Sequence, residues 1–127
     1  MKTSIVVQEL KKELEDEFKL AQRYYSILSV LNDLSLTKRE VELIAYVAIK
    51  GNISYANTRI EFCKQYSTTT ATINNIVSKL KKMGIFIKEN NIIKVNPIIV
   101  VDFKKDLNLV IKLEHAEEEI NSDGGDS

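Results

Sequence analysis

Ile73, Ile76, Val77 and Leu80 recur three, one and three residues apart, which puts them on one stripe of a helix expected over residues 69–83. With that stripe turned inward, Ala71, Asn74, Asn75 and Ser78 face out. An asparagine amide holds a donor and an acceptor side by side, the pattern that pairs with N6 and N7 of adenine. Alanine is small enough to allow close approach, or to touch a thymine methyl. Thr70, at the helix start, is placed to hydrogen-bond a phosphate beside unpaired backbone N–H groups. Lys79 and Lys82 extend a cationic track at the far end. Lys88 and Lys94 flank a hairpin that follows, and Arg59 and Lys64 sit on the helix before. Each residue also has a plainer reading. The asparagines suit any polar surface, and Lys79, Lys81 and Lys82 complement the negative end of a helix dipole. Taken jointly, outward amides, a basic helix end and a basic hairpin point to the base edges and phosphates of double-stranded DNA.

Other chemistries find little to work with. His115 is the only histidine and stands at the edge of an acidic tail, where a solvated side chain is expected. Cys63, the only cysteine, shares a helix face with Ile60 and reads as a core thiol rather than a nucleophile. A single cysteine excludes an intrachain disulfide, and no Cys/His spacing matches a zinc site. The four glycines, at positions 51, 84, 124 and 125, form no phosphate-binding loop. No catalytic residue, metal or cofactor is expected, and the chain reads as a binding protein rather than an enzyme. No apolar run is long enough to span a bilayer, and Ile5-Val6-Val7 is too short for a signal-peptide core. A cytoplasmic location, or the inside of a particle assembled there, is therefore expected.

The overall charge is zero, yet its distribution is uneven. Residues 37–97 carry ten Lys/Arg against four Glu, a net +6. Residues 1–36 carry five against six, a net −1, and residues 98–127 three against eight, a net −5. A basic centre beside an acidic tail suits a polyanionic partner, whereas a solvated mixed surface is the simpler alternative.

These residues need elements to position them. Apolar side chains from Val7 through Leu10, Leu14, Phe18, Ala21, Tyr25 and Leu28 to Leu31 predict one long helix over residues 7–33. Its first half is highly charged, so its buried stripe is narrow and meets either its own domain or a second copy of the chain. Thr37 and Glu40 form a capping box, stapled by Leu36 and Val41, for a helix that Gly51 ends. Ile53 is expected to make a short strand. Ser54 or Asn57 caps a helix running to about Tyr66, with Ala56, Ile60 and Cys63 inward. After the helix over residues 69–83, Ile85–Lys88 and Ile92–Val95 flank an Asn-rich turn, a hairpin signal. Beyond Pro97, Ile98–Phe103 and Leu109–Leu113 read as a second hairpin, with a helix as the alternative. Ile5–Val7 could add a strand to Leu109–Leu113, and residues 115–127 read as a disordered acidic tail.

Leu36-Thr37-Lys38-Arg39-Glu40, the run Thr72-Ile73-Asn74-Asn75-Ile76-Val77-Ser78-Lys79-Leu80-Lys81-Lys82-Met83-Gly84-Ile85 and the hairpin from Phe86 resemble the winged helix-turn-helix regulators. The likeness is to the MarR type and to small phage and plasmid proteins, and it covers about half the chain. It implies a winged helix at 36–97, and with the elements read above the expectation is a mainly helical α+β fold with an N-terminal arm at 1–35, a β-rich extension at 98–114 and a tail at 115–127. It also implies a dimer on pseudo-palindromic DNA, the helix over residues 7–33 joining the copies, and a role in regulating transcription or replication. Two features depart from the MarR pattern. The hairpin tip is Glu89-Asn90-Asn91 where that family usually carries an arginine, and residues 98–114 read as strands rather than long helices. A second class of function uses the same unit as a protein-interaction module in a phage particle or other assembly, since fold does not fix function.

Overall fold

The computed structural model describes residues 4–8 and 16–115. Four helices, α1 (Glu17–Leu31), α2 (Lys38–Lys50), α3 (Ala56–Tyr66) and α4 (Thr70–Lys82), precede an antiparallel hairpin of β1 (Phe86–Glu89) and β2 (Ile92–Val95). A 3-10 turn follows at Pro97–Ile99. The fold is mainly helical α+β, and the order of elements is compatible with a winged-helix arrangement.

α2 is the centre, with every residue from Glu40 to Val47 buried. Its start is the expected capping box: Thr37 Oγ1 accepts from Glu40 N at 3.2 Å and Glu40 Oε1 accepts from Thr37 N at 2.9 Å. Its end is Gly51 at φ 95°, whose N–H donates to Val47 O. Only glycine adopts that left-handed conformation without steric cost.

α1 packs on α2 and begins later than the periodicity implied. Asp16 caps it by accepting from Lys19 N at 2.8 Å, which fixes Glu17 as the first helical residue. The start of the expected helix is therefore corrected: residues 4–8 are not helical, and Ile5, Val6 and Val7 are exposed. Leu10 and Leu14 lie outside the described residues. Within α1, Ala21, Tyr25 and Ser29 are buried and Phe18, Tyr24 and Leu28 pack against the core, whereas Leu31, at the end of the same stripe, is 46% exposed.

The inward face of α3 also differs from expectation. Phe62 is fully buried, whereas Ile60 is 53% exposed and Cys63 only half-buried. Aromatic area decides the rotation. Phe62 stacks near Tyr66 at 4.6 Å and meets Tyr46 edge-on at 5.2 Å, and Tyr46 in turn stacks on Phe18. Burying rings on Phe62 and Tyr66 gains more than burying Ile60. Neither Ser54 nor Asn57 caps α3; Tyr55 is the N-cap residue and makes no side-chain cap bond. Asn52 Oδ1 instead accepts from the N–H groups of Ser54 and Tyr55 just before the helix.

Ile53 forms no strand, but it closes one side of the hairpin: Ile53 N donates to Ile93 O, and Ser54 Oγ accepts from Ile93 N at 2.7 Å. The β1–β2 turn places Asn90 and Asn91 at φ 53° and 64°, with Glu89 paired to Ile92. Two consecutive left-handed residues match the strand twist, and asparagine tolerates them.

The extension after Pro97 has no strands among the described residues, and so the expected second hairpin and its pairing with Ile5–Val7 are corrected. Asn96 Oδ1 accepts from Ile98 N and starts the 3-10 turn, in which Pro97 contributes no donor. Tyr25 then donates to Ile99 O at 2.7 Å, and Phe103 is buried against the rings of Tyr24 and Tyr25. Anchoring by side chains on α1 replaces strand pairing. The tail after His115 lies outside the described residues.

Candidate nucleic-acid interface

α4 starts at a tight three-residue link from α3. Ser67, at φ 52°, ends α3 with its N–H on Cys63 O, and Thr69 caps α4 by accepting from Thr72 N. Thr70 is then the first helical residue and is exposed. From there the phase of α4 follows the apolar stripe. Ile73 and Leu80 are fully buried, Ile76 and Val77 nearly so, and Ala71, Asn74, Asn75 and Ser78 are exposed.

Around this face the basic residues divide into two groups. Lys79 Nζ lies 2.8 Å from Glu40 Oε2 and ties α4 to the start of α2. Lys94 pairs with Glu89 across the hairpin. Arg59 Nε donates to Ile53 O at 2.8 Å, and Arg59 Nη1 donates to Asn74 Oδ1. These three cations each have a partner inside the protein. Lys64, Lys82 and Lys88 are exposed, with no carboxylate in ion-pair range among the described residues. Lys81 is exposed and unpaired in the same sense. Its position seven residues after Asn74 puts it on the same side of α4, where it adds to the cationic track of Lys79 and Lys82.

Glu40 carries the strongest internal electrostatics near the face. Burial by itself raises its pKa. Hydrogen bonds from Lys79 and from the Thr37 backbone N–H, with the Lys79 charge and the Thr37 hydroxyl, outweigh that effect and hold the carboxyl below its ordinary value. The pair links the second half of α4 to the first turn of α2.

The sequence reading missed three long-range contacts: Glu40 with Lys79, Arg59 with Asn74, and Ser54 with Ile93. Each joins residues fifteen or more positions apart, so no local pattern announced them. Among the described residues no three His, Cys, Asp or Glu side chains gather as a metal site, and no helix is long and apolar enough to cross a membrane. Comparison with family models, curated proteins and solved structures gave no match.

Proposed function

We propose that this chain binds double-stranded DNA as a winged helix-turn-helix protein, with α4 in the major groove, and acts as a regulator of transcription or replication. The observation that carries the reading is the outward face of α4. Ala71, Asn74, Asn75 and Ser78 stand exposed opposite a fully apolar stripe, beside the unpaired Lys81 and Lys82. Amides specify bases and ammonium groups neutralise phosphates, and a helix carrying both on one side is suited to a groove. Lys64 on α3 and Lys88 on β1 extend the positive charge to the neighbouring elements. The function proposed is binding, with no chemical step. A salt titration by gel shift tests it. With about five phosphate contacts, log affinity falls against log salt with a slope near −4 to −5. Folded protein that fails to shift any duplex at low salt ends the proposal.

A second reading, an interaction module in a larger assembly, draws on the C-terminal segment. Ile98, Val110 and Leu113 are 86%, 78% and 93% exposed, an unusual amount of large apolar surface. Mass measurement in solution separates the readings: a plain dimer fits a regulator on a two-fold site, and a ring or stable hetero-complex fits an assembly component.

A further inference from the structure

Arg59 and Asn74 share a hydrogen bond at the corner where α3 meets α4, and this changes what Asn74 can read. The guanidinium is held at two points. Its Nε donates to Ile53 O at 2.8 Å, and its Nη1 donates to the Asn74 carbonyl oxygen. Ile53 is in turn fixed to β2 through Ile93. A guanidinium has five N–H donors and no acceptor, so the groups left over at Nη1 and Nη2 are all donors. The Asn74 carbonyl oxygen accepts from Arg59, and its NH2 remains a donor with no protein partner among the described residues.

We infer that Arg59 and Asn74 work as one donor-only unit that reads guanine rather than adenine, an inference that rests on the DNA-binding reading above. A lone asparagine matches adenine because it accepts from the N6 amino group and donates to N7. Here the adenine amino group, itself a donor, would approach an oxygen already occupied and a full positive charge beside it. The second lone pair of that oxygen does not remove the conflict, because the cation stays where the amino group must come. Guanine presents O6 and N7, two acceptors, to the same corner. Asn75 is exposed and makes no side-chain hydrogen bond among the described residues, so it keeps the adenine pattern. Arg59 is thus a specificity-determining residue, not merely a contact to the phosphate backbone.

The test is selection from a randomised duplex library with the full chain, comparing wild type with Arg59→Ala and Asn74→Ala. Wild type is expected to enrich one guanine that Arg59→Ala converts to adenine, with a preference change of roughly tenfold or more at that position. Asn74→Ala is expected to lose the guanine preference without gaining adenine. Misfolding cannot produce a switch of one base to another, so a gain of adenine is diagnostic. If wild type enriches a sequence but Arg59→Ala selects the same base at every position, the paired unit is wrong while DNA binding stands. If folded wild type enriches nothing and shifts no duplex, both proposals fall together.

Discussion

The contact between Glu40 and Lys79 gives the sharpest quantitative expectation. Glu40 accepts from Thr37 N at 2.9 Å and from Lys79 Nζ at 2.8 Å, with a side chain only 8% exposed. Glu40→Gln keeps an oxygen for the Thr37 N–H but gives up the charge facing Lys79. Because the Lys79 side chain is 47% exposed, solvent screens the pair, and the loss is about 1 kcal/mol. Glu40→Ala also strands the Thr37 N–H and removes the second half of the capping box, for a total of about 2 kcal/mol. A double-mutant cycle with Lys79→Met isolates the pair, and a coupling energy of about 0.5–1 kcal/mol is expected from urea denaturation. The pH dependence fixes the sign. The folded-state pKa of Glu40 is depressed, so its stabilisation is complete above the ordinary glutamate value and is lost as pH falls through the lower folded value. The gap between wild type and Glu40→Gln should therefore be constant at neutral pH and shrink in acid. A coupling energy of zero, or a gap that widens in acid, refutes the assignment of Glu40 as a charged strut between α2 and α4.

Three further expectations follow from the geometry. Phe62→Ala should destabilise the fold by about 3–5 kcal/mol, whereas Ile60→Ala should cost about 0.5 kcal/mol or less; thermal melts distinguish the two. Gly51→Ala forces a β-carbon into φ 95°, and should lower stability by about 1 kcal/mol in chemical denaturation. In the gel-shift salt series, Lys82→Met should reduce the magnitude of the slope by about 1. Lys94→Met, whose charge is already offset by Glu89, should change it much less.

Features encoded over a few residues were legible in the sequence. The Thr37/Glu40 box, the stop at Gly51, the Asn90-Asn91 turn and the phase of α4 all lie where their chemistry put them, because each depends on neighbours within one helical turn or one hairpin. What depended on tertiary competition was not legible. The spacing from Val7 to Leu14 continues the stripe of α1, but Asp16 intercepts the helix start. Ile60 and Phe62 compete for the interior of α3, and only the positions of Tyr46 and Phe18 on other helices decide the winner. The β-branched run after Pro97 has strand propensity, but propensity needs a partner edge. One outer edge of β2 is already occupied by Ile53 and Ser54, and Tyr25 and Phe103 hold the extension against α1 instead.

At the candidate site, exposure of the amides was readable from periodicity, whereas the state of each cation was not. Counting lysines and arginines over residues 37–97 gives a net +6, but the count treats every charge as equally available. The structure separates them. Lys79 braces α4, Lys94 is matched by its neighbour on the hairpin, and Arg59 is turned toward an amide. Among the described residues of this stretch, the positive charge with no carboxylate in ion-pair range lies on Lys38, Lys64, Lys81, Lys82 and Lys88. Two of these five end α4, and the hairpin contributes only one. A duplex lying along this surface would therefore be held chiefly by α4 and α3, with the wing adding little. The Glu89-Asn90-Asn91 tip fits that division, since a carboxylate beside a minor groove repels the phosphates an arginine would attract. Affinity from lysines at the helix end and selectivity from the amides and Arg59 before them would place both functions on two consecutive helices, α3 and α4.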